Sequence, residues 1–194
     1  MSAAPKRRAT PEEYLAAERV AEFRSEYYDG EVFAMAGASK AHLRIAANLV
    51  GELHSRLKGG PCQAFAADAR VAVSRSRVYA YPDVVIACDP VEFADKFLDT
   101  LLNPKVIFEI LSPSTEKHDR TGMFDAYQTV PSLAEYVLVA QDEPRIERYV
   151  RDPADDLWKR SVYTGLEAEL ALAAVDVVIP LRDVYYRVEF ESED

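Results

Sequence analysis

The run Val106-Ile107-Phe108-Glu109-Ile110-Leu111 constrains this chain more than any other segment. Its length and β-branched content predict a strand buried on both faces. A carboxylate inside such a strand costs several kcal/mol to desolvate unless something cationic compensates it. A second acid, Asp83, stands at the mouth of another apolar run, Tyr81-Pro82-Asp83-Val84-Val85-Ile86-Ala87. Two acids on two buried strands suit a hard divalent cation. The residues alone leave two other readings open: Glu109 pairs with a core arginine, or it lies at a strand end in water.

A length of 194 residues suits one domain, with residues 1–9 as a disordered tail and 10–190 as the folded unit. No apolar stretch approaches the roughly 20 residues of a membrane span. The basic start, Met1-Ser2-Ala3-Ala4-Pro5-Lys6-Arg7-Arg8, has no hydrophobic segment behind it and does not read as a secretory signal. Cys62 and Cys88 lie in apolar surroundings and read as reduced core thiols of a cytoplasmic protein. A formal net charge of −10 argues against a globally basic, sequence-independent nucleic-acid binder. Contact with DNA would need a local basic patch, for which Arg7, Arg8, Arg70, Arg75 and Arg77 are candidates.

Thr10-Pro11-Glu12-Glu13 combines an N-cap, a first-position proline and a capping-box glutamate, so a helix is expected to about Val20. Asp29-Gly30 centres a hairpin. Ser39 caps a second helix with an apolar stripe of Leu43, Ala46, Ala47, Val50, Leu53 and Leu57, ended by Gly59-Gly60. Strands are expected at Cys62 to Ala67, Arg70 to Ser74, Asp83 to Cys88 and Val106 to Leu111, with loop or a short helix between Asp89 and Asn103. A helix from about Asp119 to Thr129 leads to strands at Glu135 to Ala140 and Arg145 to Arg151. An edge strand is expected at Trp158 to Tyr163, and a last helix at Leu181 to Val188. This order predicts an α/β domain with a mixed central sheet. The Tyr-rich C-terminal segment offers a homodimer contact. No Gly-rich phosphate loop or GxSxG elbow is present, and the three histidines, His42, His54 and His118, lack metal-ligand spacing.

Tyr28-Asp29-Gly30-Glu31, Pro82-Asp83, Glu109 through Thr115, Asp119-Arg120 and Pro131 through Val139 together resemble the Uma-type "putative restriction endonuclease" family, formerly a domain of unknown function, within the PD-(D/E)xK nuclease superfamily. The matches run from about Thr10 to Val188, and their order and spacing carry the resemblance. It implies a restriction-endonuclease-like core, a mixed sheet flanked by helices, with an N-terminal helix and hairpin. It further implies a DNA phosphodiesterase using Mg²⁺ or Mn²⁺. Asp83 and Glu109 would bind the metal and the Ile110 carbonyl would complete the protein ligands. Glu31 and Asp68 fall where the family also carries acids, and His42 would face the carboxylate cleft; otherwise His42 is a helix-surface residue.

The chain departs from that pattern at the lysine that helps orient water and balance charge. Two residues after Glu109 stands Leu111, and at the alternative helix position stands Met123. A thioether carries no positive charge and accepts hydrogen bonds only weakly. Arg120, three residues before Met123, is the nearest charge partner, though a guanidinium stays protonated and cannot act as a base. Lys117 and His118 precede it in the connecting loop. The expected function is therefore a metal-dependent endonuclease, slow or inactive for want of the lysine. The alternative is a catalytically silent nuclease fold serving as a nucleic-acid-binding or interaction module.

Overall fold

Alternating burial along the Glu109 strand organises the molecule. A computed structural model describes residues 8–35, 37–66, 68–73 and 77–190. From the N-terminus the chain runs α1 (Pro11–Glu18), β1 (Ser25–Tyr28), β2 (Glu31–Ala34), α2 (Lys40–Leu57), β3 (Cys62–Ala66), β4 (Arg70–Val73) and β5 (Val78–Ala80). There follow β6 (Val84–Cys88), β7 (Thr100–Leu101), β8 (Pro104–Ile110), α3 (Glu116–His118), a π-helical turn (Asp119–Met123) and α4 (Phe124–Gln128). The chain continues through β9 (Glu135–Val139), β10 (Arg145–Arg151), β11 (Trp158–Thr164), β12 (Glu169–Leu172), β13 (Val177–Pro180) and α5 (Leu181–Val184).

A six-stranded mixed sheet, β11-β10-β9-β8-β6-β3, forms the centre. Its β8/β9 pair is parallel, and the segment α3–π–α4 makes the crossover between those strands. On β8, Val106, Phe108 and Ile110 face one core with α2 residues Ile45, Leu49, Leu53 and Leu57. Ile107 and Leu111 face a second core with Met123, Ala126 and Tyr127 and the apolar side of a five-stranded sheet, β2-β1-β5-β4-β7. Both faces of β8 are thus covered, which is why its sequence lacks the alternation of a half-exposed strand.

Local signals worked where the chemistry is short-range. Thr10 and Glu13 make the reciprocal capping box. Asp29 (φ 44°) and Gly30 (φ 93°) take the left-handed conformations of a tight hairpin turn. The mixed α/β architecture and the β11 edge strand stand as expected.

Other expectations are corrected. The buried stripe of α2 is the i, i+4 row Ile45, Leu49, Leu53 and Leu57, while Leu43 is exposed and lines the cleft described below. The helix expected from Asp119 starts at Glu116 and contains a π turn, and α5 ends at Val184. The hairpin β12/β13 and the short strands β5 and β7 were not foreseen. Residues 8 and 9 of the expected tail dock on the hairpin, with the Ala9 N–H donating to the Gly30 carbonyl; residues 1–7, Ala67 and Ser74 lie outside the described residues.

Cys62 and Cys88 are not free thiols but form a disulfide. They stand directly opposite each other in the antiparallel β3/β6 register, which composition could not reveal. Tyr185 of the C-terminal segment is buried within the chain, its hydroxyl donating to the Ala140 and Arg145 carbonyls.

The C-terminal segment is anchored on α2 by Asn48, whose Nδ2 donates to the Val184 and Tyr186 carbonyls at 2.9 Å each. Asn48→Ala is expected to cost about 1–2 kcal/mol. Thermal melting should show a Tm lower by roughly 3–6 °C for a domain of this size.

Candidate active site

The C-terminal end of β8 and the start of β6 meet on one side of the sheet. Val84 pairs with Phe108, so one step further Asp83 stands opposite Glu109. Directly opposed residues of an antiparallel pair point to the same face, with Cβ atoms typically about 4.5–5.5 Å apart. The Ile110 N–H donates to Asp83 Oδ2 at 2.7 Å, tying the aspartate to the glutamate strand. Asp83 Oδ1 lies 2.8 Å from His42 Nε2. Ser39 caps α2 by accepting the His42 N–H, which fixes the first turn that carries the imidazole.

Glu109 is half-buried, and its Oε1 accepts the Tyr127 hydroxyl at 2.9 Å. Among the described residues no guanidinium pairs with it, so the arginine alternative does not hold. Burial, then the charges of Asp83, Asp119 and Glu26, pushes its carboxyl well above the usual range despite the Tyr127 hydrogen bond. Asp119, on the π turn, is pushed up to about 6, chiefly by burial and further by Asp83, against the Thr115 hydrogen bond and His118. Glu26 on β1 is raised by burial, then by Asp119 and Asp83, although it accepts the Tyr81 N–H. Four carboxylates therefore share one weakly hydrated region.

They line a cleft of about 810 Å³ together with His42, His118, Tyr28, Ser112, Ser114, Thr115 and Met123. Part of its wall is apolar, with Phe33, Met35 and Leu43. The π turn places both Asp119 and Met123 toward this space; such turns occur often at functional sites.

The structure thus brings together Asp83, Glu109, His42 and Ile110, the last through its N–H. It does not bring in the others. Arg120 is held by Glu116 (2.8 Å) and Glu147 (2.9 Å), away from the cleft lining. Glu147 sits on β10, brought alongside by a long-range pairing that local spacing could not show. Glu31 pairs with Arg8 at 3.9 Å on the hairpin surface, and Asp68 pairs with Arg24 at 3.5 Å. Of the expected basic patch, Arg70 is buried against Asp99, Thr100 and Tyr81, and Arg8 pairs with Asp29; Arg7 and Arg75 lie outside the described residues. Asp119 and Glu26 also line the cleft and Tyr127 reaches Glu109 from α4, none of them marked by local sequence spacing.

The chain matches the Uma2 family, described as "Putative restriction endonuclease", over residues 11–182. The chain belongs to the Uma2 family. It is 35% identical over 184 residues to "Uncharacterized protein slr1290" of Synechocystis sp. (strain ATCC 27184 / PCC 6803 / Kazusa), covering 95% of this chain and 94% of that protein. "Uncharacterized protein sll1609" of the same organism is 33% identical over 168 residues, 87% of this chain and 94% of its own length. In fold it is similar to a crystal structure described as a putative nuclease belonging to DUF820 from Anabaena variabilis ATCC 29413. That likeness has a TM-score of 0.74 at 18% identity, over 91% of this chain and 97% of the other. Within this Uma2 chain, no described helix is long and apolar enough to cross a membrane.

The donor set suits a hard cation. Asp83 and Glu109 offer carboxylate oxygens, each with lone pairs beyond those already used, and the charge repulsion among four acids is what a cation would relieve. Among the described residues, no three His, Cys, Asp or Glu side chains are arranged to hold a metal by themselves. Mg²⁺ does not require that, being commonly held by one or two carboxylates plus water and substrate phosphate. If His42 orients Asp83 for this purpose, His42→Ala should weaken Mn²⁺ binding about 10–100-fold by isothermal titration calorimetry.

Proposed function

We propose that this protein is a divalent-metal-dependent endonuclease acting on phosphodiester bonds of DNA. The observation that carries the reading is the convergence of Asp83 and Glu109 at one end of the β6/β8 pair without a guanidinium partner among the described residues. Asp83 and Glu109 would hold Mg²⁺ or Mn²⁺, with the Ile110 carbonyl as a further oxygen donor. A cation bound there supplies Lewis-acid polarisation of a phosphate and a more acidic bound water.

The chain's own groups account for the rest. His42 orients the Asp83 carboxylate, and Tyr127 fixes the Glu109 side chain from behind. Asp119, with a carboxyl near 6, can accept or donate a proton close to neutral pH. This partly offsets the missing lysine, because proton transfer does not depend on Met123. The family description and the endonuclease-like fold support the reading. Plasmid nicking by the purified protein with Mg²⁺ or Mn²⁺, and none in EDTA, is the expected result.

A second reading, a silent nuclease fold that binds nucleic acid or another partner, is favoured by one observation. Met123 is buried in the cleft wall at the position where the resemblance implies a lysine. Absence of nicking alongside retained Mn²⁺ binding would select it.

A further inference from the structure

The cleft lining combines carboxylates with exposed apolar side chains, and the nuclease reading uses only the carboxylates. Among the lining residues Phe33, Met35 and Leu43 are exposed to 51%, 42% and 60% although large and apolar. Every residue of the edge strand β2, which carries Phe33, is exposed. Phe33 stands directly opposite Glu26 in the antiparallel β1/β2 register, so the apolar wall adjoins the acids. Exposed apolar surface beside a few convergent polar groups marks a ligand pocket.

We propose that this wall holds an unpaired base of a single-stranded nucleic acid, with the neighbouring phosphate at the Asp83–Glu109 floor. The proposal rests on the nuclease reading and adds the class of substrate. A duplex keeps its bases stacked inside and offers mainly sugar and phosphate to a side wall, from which Phe33, Met35 and Leu43 gain nothing. An unpaired base offers a π-face, and stacking on an aromatic side chain contributes about 1–3 kcal/mol per base.

Charge points the same way. The acids lining the cleft are Glu26, Asp83, Glu109 and Asp119, and no lysine or arginine is among the described lining residues. Duplex DNA brings a negative charge about every 1.7 Å of axis, twice the density of one strand, and a protein accommodates it with lysine and arginine. A single strand halves the repulsion. The volume of about 810 Å³ lies within the usual range for a small-molecule pocket, which suits a nucleotide unit rather than a double helix.

The test is fluorescence anisotropy of a labelled single-stranded oligonucleotide and of the same sequence as a duplex, both in Ca²⁺. The single strand is expected to bind at least roughly tenfold tighter. Phe33→Ala and Leu43→Ala are each expected to weaken single-strand binding, Phe33→Ala by about five- to a hundredfold, as loss of one stacked base predicts. Both side chains are exposed, and calorimetric Mn²⁺ affinity in these variants should equal the parent's, reporting an intact floor. Equal or tighter duplex binding, undiminished single-strand affinity in both variants, or binding of neither form would overturn the proposal. The nuclease reading fails by a different result, an Mn²⁺ affinity that Asp83→Ala leaves unchanged.

Discussion

Replacing Asp83 with alanine is expected to lower metal-supported DNA cleavage by about a thousandfold. Lewis-acid stabilisation by a bound cation is worth several kcal/mol, and each 1.36 kcal/mol is tenfold in rate. Asp83 is the better target of the two acids because three parts of the site meet at it: the His42 imidazole, the Ile110 N–H of the partner strand and the opposed Glu109. Its side chain is not part of either apolar core, so the fold should survive its removal. Initial rates of plasmid nicking over a range of Mn²⁺ concentrations check this. A loss that high Mn²⁺ rescues would place Asp83 outside the direct ligands, and an unchanged rate would remove it from the site.

The second large effect has the opposite sign on stability. In metal-free protein, Glu109→Gln is expected to raise the Tm by roughly 5–10 °C at pH 8 and to leave it nearly unchanged at pH 4. Glu109 and Asp119 have carboxyls raised above their unfolded values. The unfolded chain therefore releases these protons at lower pH than the native state does. Their contribution to stability is intact below about pH 4 and is lost as pH rises through about 6 for Asp119 and higher for Glu109. A displacement from 3.8 to about 6 corresponds to on the order of 3 kcal/mol for Asp119 alone. Glu109 is pushed in the same direction by its own burial, and relief of a penalty of a few kcal/mol corresponds to the stated rise at about 2–4 °C per kcal/mol. Glutamine keeps an acceptor for Tyr127 while removing the charge that repels Asp83, Asp119 and Glu26. Melting curves across pH, with and without Mn²⁺, read it out. The ion should raise the Tm of the parent at pH 8 and leave Glu109→Gln much less affected.

Glu109 and Asp83 were legible in the sequence because each is a charge against an apolar strand, a conflict visible without knowing what packs where. The hairpin at Asp29-Gly30 and the cap at Thr10 were legible because their hydrogen bonds close within a few residues. Asp119, Glu26 and Tyr127 were not, since they reach the site from a π turn, a β1 strand and a crossover helix that only tertiary packing superposes. Arg120 went astray for the same reason in reverse: its acid partner, Glu147, lies on β10 and draws it outward. The Cys62–Cys88 bond depends on strand register, which two apolar contexts do not specify. Leu43 read as core by its spacing, yet the buried row of α2 runs through Ile45, Leu49, Leu53 and Leu57 and leaves Leu43 on the cleft wall.

The most direct measurement is anomalous diffraction at the manganese edge from crystals soaked in Mn²⁺ near pH 8. One strong peak is expected within coordination distance of carboxylate oxygens from both Asp83 and Glu109. A map with no peak there, or a peak bound by only one of the two acids, would contradict the proposed metal site.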